Sequence, residues 1–285
     1  MNSNAPPVAI IVVNWNRRED TLACLESLAG VTYPNFRVIF VDNGSSDGSA
    51  QAVRERFPQV QVIALPDNRR FAGGNNVGLR DVLEKGGDFA LLLNNDTTVA
   101  ADFLDHLVAA AREDAWIGLA APKILYSARP DVIWFAGGII VPAWGYVRHF
   151  GLRQRDDGRF DQPRDVSFLT GCCLLIRRDV LGKVGLLDEG FFLYSEDADY
   201  CLRAARAGYR LRYEPRSRIF HQVSSSTGGA YNLRKWIQRY ISLFRLVRKH
   251  TSPTTYPLFL LNLIWELLSL PINTFLQTSR LPDSK

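Results

Sequence analysis

The chain has 285 residues, 47% apolar and 22% charged, with four cysteines and a net charge of +5. That composition fits one large globular domain, or one domain with an appendage, and excludes the low-complexity, solenoid-repeat and disulfide-scaffold classes. The charge is uneven: no Asp or Glu lies between Pro215 and Trp265, a segment carrying +8, which leaves the remainder of the chain at −3.

The N-terminal "MNSNAPPVAIIVVNW" has no basic leader and too short an apolar run for a signal peptide, so the expectation is a cytoplasmic protein. "VAIIVV" is a continuous β-branched run, the mark of a strand buried on both faces. "REDTLACLESLAG" has helical periodicity, and "FRVIFVD" is a second buried strand ending in the turn "NGSSDGS". "SAQAVRERF" is helical, "VQVIAL" a third strand, and "GNNVGLRDVLEKGG" a helix closed by glycines. "FALLLN" is a fourth strand, and "AADFLDHLVAAARED" a further helix. This alternation predicts an α/β fold with a mainly parallel central sheet.

Ligands of such sheets bind beyond the carboxyl ends of the strands. All four predicted ends are polar: Asn14 and Asn16, Asp42, Asp67 and Asn68, then Asn94 and Asp96. Each alone is ordinary turn chemistry, but four together form a polar rim. A dinucleotide fingerprint requires GxGxxG after the first strand, whereas "NWNRRED" stands there; a P-loop is also absent.

After residue 115 the alternation is lost. "VIWFAGGIIV" and "VSFLTGCCLLIRR" read as strands, separated by a charged, loop-rich stretch over 142–166. "EDADYCLRAARAGY" reads as a helix with Ser195 as N-cap, and "YRLRYEP" as a short strand. Cys24, Cys172, Cys173 and Cys201 show no metal-ligand spacing and read as reduced core residues, with Cys172 and Cys173 on opposite sides of a strand.

Four places admit both a bland and a chemical reading. Asp42 is an Asx-turn carboxylate, or an acceptor for a base or ribose. Asp96 closes a turn, or holds a hard divalent cation that would neutralise a departing diphosphate. Glu196, Asp197 and Asp199 complement a helix dipole, or supply a general base beside the aromatic run "GFFLY". His221 is a structural histidine, or a metal ligand if it approaches Asp96 in space.

Taken in order, "VAIIVVNWNR", "VDNGSSDGS", "NRRFAGGNNVGL", "LLLNNDTTV", "TGCCLLIRRDVLGKVGLLDEGFFLYSEDADYCLRA" and "IFHQVSSST" resemble the family 2 inverting glycosyltransferases of the GT-A fold. The likeness is to the rhamnosyltransferase-like and galactofuranosyltransferase-like branch. The resemblance implies a catalytic domain over 1–230, with a donor half to about 115 and an acceptor half after it. It implies a nucleotide-diphosphate sugar donor held around Asn14, Asn16, Arg17, Asp42, Asn68, Arg70, Gly73, Asn75 and Asn95, with Gly171 leaving room beside the donor sugar. A divalent cation, Mn2+ or Mg2+, would sit on Asp96, His221 and Asn94. Asp197 would be the base and Glu196 a partner for an acceptor or donor hydroxyl. A saccharide or lipid-linked acceptor in cell-surface polysaccharide synthesis completes the expectation, with rhamnose or another deoxyhexose as the transferred sugar. Two positions depart from the family pattern: Asn94 replaces the first acid of the DxD motif, and Arg70 replaces a glycine. The competing readings are a nucleotidyltransferase, for which the loop after the first strand lacks glycine, and a non-catalytic sugar-nucleotide-binding subunit.

Residues 231–285 read as C-terminal helices. In "YNLRKWIQRYISLFRLVRKH", Leu233, Trp236, Ile237, Tyr240, Ile241, Leu243, Phe244 and Val247 share one face, opposite most of the basic residues. "YPLFLLNLIWELLSLPINTFL" is apolar but interrupted by Asn262, Glu266 and Pro271. Such helices pack on the catalytic domain or on a second subunit as a homodimer, dock on an anionic membrane surface, or, less readily, span a bilayer. No nucleic-acid reader motif accompanies the basic stripe.

Overall fold

The structure is a computed structural model describing residues 5–192, 194–223 and 233–278. Four parallel strands build the first half: β1 (Val8–Asn14), β2 (Phe36–Asp42), β3 (Gln61–Ala64) and β4 (Phe89–Asn94), connected through α1 (Arg18–Ala29), α2 (Ser49–Arg56) and α3 (Arg70–Lys85). β1 lies between β2 and β4, which explains its unbroken apolar run: Val8 to Val12 are all buried. The register places Asn14 beside Asp42 and Val13 beside Asn94, so the polar strand ends share one edge.

α3 lies close on β1 for a stereochemical reason. A Cβ on Gly78 would come within 2.6 Å of the Ile11 side chain, and one on Gly74 within 2.7 Å of Val13. These glycines are one turn apart and present one helix face, so the helix backbone sits directly on the strand. That approach brings the first turn of α3 to the polar rim.

The second half is mixed. It comprises β5 (Thr97–Val99), α4 (Phe103–Arg112), β6 (Ile117–Tyr126), β7 (Arg129–Phe135), β8 (Gly138–Val141), β9 (Tyr146–His149), β10 (Arg164–Val166) and β11 (Cys173–Arg177). There follow α5 (Arg178–Val184), α6 (Glu196–Arg206), β12 (Arg210–His221), α7 (Leu233–His250) and α8 (Tyr256–Thr278). The main sheet runs β10-β12-β6-β11-β4-β1-β2-β3, with β5 on β12 and β7 on β6, and β8 and β9 form a separate hairpin. β11 is antiparallel to both neighbours, so the sheet is parallel only in its first half and over the β6–β12 pair.

Several expectations are revised here. "VIWFAGGIIV" is two strands, broken at Gly137 with φ +84°, a conformation open to glycine. Within "VSFLTGCCLLIRR" only Val166, the last residue of β10, and 173–177 are strand; between them the chain turns past α6. β6 carries no alternation because it is buried on both faces, and it contains Pro122 and Lys123, which obscured it. The Lys123 ammonium is fully buried and paired with Asp156, at 2.7 Å, and with Asp161. This buried cation ties the charged stretch after β9 to the sheet. "YRLRYEP" continues through Pro215 as the twelve-residue β12, which absorbs the proline in a register shift between Glu214 and Arg218. All four cysteines are buried and free.

α7 and α8 pack against each other and on the β8–β9 region, where Gly145 meets Phe259 and Val247. No helix among the described residues is long and apolar enough to cross a membrane. Of the predicted apolar face of α7, the Leu233 and Trp236 side chains lie outside the described residues, as do Leu193 and the "SSST" of the His221 motif.

Candidate active site

The strand ends organise one another before they can organise a ligand. Asn14 is buried, and its Oδ1 accepts from the Arg17 backbone N–H (3.1 Å), the Thr21 hydroxyl (3.1 Å) and the Asn95 amide (3.0 Å). Its own amide donates to Ser45 Oγ at 3.1 Å and toward Asp42 Oδ1 at 3.4 Å. Asn16, at φ +53°, accepts from the Ser46 N–H at 2.8 Å. Asn95 also donates to Thr21. Asn14, Asn16 and Asn95 therefore spend their side chains bracing the loops of the rim. Asp42 stays buried and carries spare acceptor capacity, and the Arg17 side chain leans on Asp20 at 3.4 Å.

The loop after β3 is joined to the rim by Asn43, which motif reading passed over as part of a turn. Its amide donates to Asn68 Oδ1 and to the Arg70 carbonyl, both at 3.0 Å, and its Oδ1 accepts from the Arg69 N–H at 2.9 Å. Asn68 in turn accepts from the Arg70 N–H at 2.7 Å. Arg70 has φ +62°, which accounts physically for the glycine of the family pattern at this position. Its guanidinium lies over the Phe192 ring, 3.7 Å from the centroid, reaching from the donor-side loop to the acid-bearing segment. Gly73 faces Arg69 and Glu189, while Asn75 donates to the Phe71 carbonyl at 2.9 Å.

Asp96 and His221 are brought together by pairing. β5 runs antiparallel to the end of β12 with Thr97 opposite His221, and the Gln222 N–H donates to the Asp96 carbonyl at 2.8 Å. His221 Nε2 is 3.1 Å from Asp96 Oδ1. Burial lowers the imidazole's proton affinity, but Cys172 and Asp96 outweigh it and raise the pKa to about 10. The Trp134 edge backs the ring at 4.6 Å. Next to it His149 is driven down to about 4 by burial, so it stays neutral at pH 7. Asn94 ends β4 two residues before Asp96, its carbonyl accepting from Thr97 Oγ1 at 2.6 Å.

Among the described residues no three His, Cys, Asp or Glu side chains converge as a metal cluster. Two ligands do fit. Asp96 Oδ1 is buried with no donor besides the His221 ring, and, once that ring gives up its proton, the 3.1 Å to Nε2 matches an octahedral edge of about 3.0 Å for metal–ligand distances of about 2.1 Å. The protein thus offers one edge of a coordination sphere and leaves the remainder to a ligand's oxygens and water.

The acids sit at the start of α6, entered through two consecutive left-handed residues, Tyr194 at φ +67° and Ser195 at φ +70°. Ser195 occupies the predicted N-cap position but makes no side-chain cap bond. Asp197 Oδ2 accepts from the Gly171 N–H at 3.0 Å, and Oδ1 from the Ala198 N–H at 2.8 Å. Gly171, the residue expected to leave room beside a donor sugar, donates that N–H, and a Cβ there would meet the Phe71 ring at 2.9 Å and Asp197 Cβ at 3.5 Å. Burial raises Asp197, and these two N–H donors pull the other way. Burial first and the Asp197 charge second push Glu196 to about 8, and its Oε2 has no donor. Of this pair, Asp197 is the carboxylate whose ionised form two N–H donors favour, while burial and the neighbouring charge hold Glu196 toward its protonated form.

The family model described as "Glycosyl transferase family 2" matches residues 9–185. An N-acetylglucosaminyl-diphospho-decaprenol L-rhamnosyltransferase from Mycobacterium tuberculosis is 30% identical over 237 residues, 77% of this chain and 77% of that protein. A solved structure of GalNAc-T7 with UDP, GalNAc and Mn2+ superposes with a TM-score of 0.64 at 17% identity, over 78% of this chain and 44% of that one. The mannosyltransferase PcManGT from Pyrobaculum calidifontis, with GDP-Man and Mn2+, gives a TM-score of 0.61 at 18% identity, over 97% of this chain and 80% of that one. At these identities the structural likeness is one of fold.

Proposed function

The chain belongs to glycosyl transferase family 2, a rhamnosyltransferase-like glycosyltransferase of GT-A fold, and from that premise we propose that it is a divalent-metal-dependent inverting enzyme. It transfers a deoxyhexose, rhamnose first, from a nucleotide diphosphate to a saccharide or lipid-linked acceptor of cell-surface glycan synthesis. The observation that carries this reading is the pairing of a doubly braced Asp197 with a separate Asp96–His221 edge. One group suits proton removal and the other suits diphosphate charge. The rhamnosyl donor and the diphospho-lipid acceptor are drawn from the mycobacterial relative's name.

In the proposed reaction, the acceptor hydroxyl gives its proton to Asp197 as its oxygen bonds to the anomeric carbon. The bond from that carbon to the diphosphate oxygen breaks, and the configuration inverts. Glu196, protonated, donates a hydrogen bond to a sugar hydroxyl. Asp96 and His221 would hold Mn2+ or Mg2+, with Asn94 beside them as a neutral oxygen donor; the bound cation offsets the charge of the leaving diphosphate. The rim braced by Asn14, Asn16, Asn95 and Asn43 presents Asp42, Asn68 and Arg17 to the nucleoside. A thermal-shift screen of nucleotide sugars with and without Mn2+ tests this. Stabilisation by dTDP-rhamnose that requires the metal is expected, by about 2.7 kcal/mol at a ligand concentration 100 times Kd. No response to any nucleotide or nucleotide sugar overturns it.

The proposed site of action is the cytoplasmic face of the membrane. Ile237, Ile241, Ile264, Trp265 and Leu268 stand exposed on α7 and α8, with Trp265 and Leu268 each 70% accessible. The segment from Pro215 to Trp265 has basic residues and no acid. An apolar face within a basic segment fits an anionic bilayer surface. The protein is expected to sediment with phosphatidylglycerol vesicles and not with phosphatidylcholine ones, and Ile241→Glu with Trp265→Glu is expected to abolish this. A wild-type dimer that the same changes make monomeric, without vesicle binding, assigns the face to a second copy instead.

A further inference from the structure

The segment from Asp188 to Asp199 carries both acids and the two left-handed residues that aim them. Consecutive non-glycine residues at positive φ are strained and persist only where the surroundings hold them. The holding contacts come from the last turns of α7. Lys249 Nζ lies 2.7 Å from Asp188 Oδ2 and 2.8 Å from Asp199 Oδ1, so one ammonium spans both ends of the segment. His250 Nε2 adds a 2.7 Å contact to Asp199 Oδ1, and Arg203 braces the other oxygen at 2.7 Å. Arg245 reaches Asp188 at 3.3 Å and lies so close over Gly190 that a Cβ there would collide with its guanidinium. Between the anchors, the buried Phe191 ring lies beneath Arg245 and Lys249, at 5.3 and 5.8 Å.

We propose that Lys249, with His250, is a positioning residue for transfer: it ties the two ends of the acid-bearing segment together from the C-terminal helix and so sets the direction of Asp197. The charge state is consistent with a held pair. Burial of Asp199 alone would raise its pKa, but His250, Lys249 and Arg203 bring it down to about 2. Asp188 is likewise lowered, against its burial, by Lys249, the Gly190 N–H and Arg245. Asp199 lies two residues beyond Asp197 on the same helical turn, so a shift of its carboxylate turns the helix start. α7 is on this view a part of the catalytic apparatus. The effect on turnover rests on the transfer reading above, while the effect on the segment does not.

The test is hydrogen–deuterium exchange on the full chain without ligand, comparing wild type, Lys249→Met and Lys249→Arg. Met keeps the packed stem over Phe191 and removes the charge; Arg restores it. Faster exchange is expected in Lys249→Met over peptides spanning 186–201, at least tenfold, with the β1–β4 peptides unchanged, and Lys249→Arg is expected to recover most of the protection. Release of nucleoside diphosphate from dTDP-rhamnose in the presence of acceptor should fall in kcat by about tenfold or more, with donor affinity unchanged. Unchanged exchange over 186–201 in Lys249→Met overturns the proposal, as does a loss of protection spread across the whole sheet that arginine does not recover. Altered exchange with no turnover in any variant keeps the tie and instead counts against the transfer reading.

Discussion

Asp197→Asn is expected to lower sugar transfer by about 10³-fold, within the 10²–10⁴ range of general-base removal, while leaving nucleotide-sugar affinity within about twofold. The amide keeps the volume, and its one oxygen can still accept from either the Gly171 or the Ala198 N–H, so one of the two braces is lost together with proton acceptance. Rapid-quench turnover together with calorimetric donor binding separates the two. Transfer above a tenth of wild type would falsify the base assignment. The pH profile has a defined sign. The base works ionised, and burial raises Asp197, so turnover climbs with pH through a value above the usual carboxylate range. Glu196 differs: its folded value of about 8 exceeds the unfolded 4.5, so its contribution to stability is present below 4.5 and is lost as pH rises through 8. Glu196→Gln should flatten that alkaline loss in thermal melts, because the amide cannot ionise, and should leave the acid limb of turnover near its wild-type position.

Asp96→Asn is expected to reduce transfer by about 10²–10³-fold and to remove the Mn2+-dependent part of donor binding. Only two side chains form the edge described above, so replacing the charged one leaves a neutral oxygen and an imidazole against a divalent ion. In the proposed site the remaining ligands would come from the donor, so Mn2+ alone should bind weakly to wild type and tightly only with the nucleotide. Manganese electron paramagnetic resonance titrations with and without nucleoside diphosphate check both statements. Equal Mn2+–nucleotide affinity in Asp96→Asn and wild type removes Asp96 from the metal site. The variant should remain folded, since an amide at 3.1 Å from His221 Nε2 can still meet the ring.

The first half of the fold was readable because its period and its burial agree. Strands buried on both faces give continuous apolar runs, and their ends must turn polar at the rim. The second half resisted reading because local rules were overridden. Pro215 reads as a strand end, yet β12 carries it in a bulge and continues to His221. β6 hides a buried lysine whose two aspartate partners lie more than 30 residues away. Among the candidate donor contacts, Asn14, Asn16 and Asn95 were legible as a polar cluster but not as braces, because their partners Thr21, Ser45 and Ser46 are set by strand register.

By itself, then, the sequence determined the strand-and-helix order, the polar rim, the ordered string of motifs and the two acids at the start of α6, because these depend on local periodicity and spacing. Only the tertiary structure decided which residues meet. The antiparallel pairing of β5 with β12 sets His221 against Asp96 across more than 120 residues of chain, which makes a lone histidine and a turn aspartate one edge of the proposed cation site. Folding of α7 onto α6 puts Lys249 between Asp188 and Asp199. Two N–H donors on Asp197 and none on Glu196 Oε2 separate the proposed base from its neighbour, a distinction set by burial and hydrogen bonding, which adjacent acidic letters do not carry.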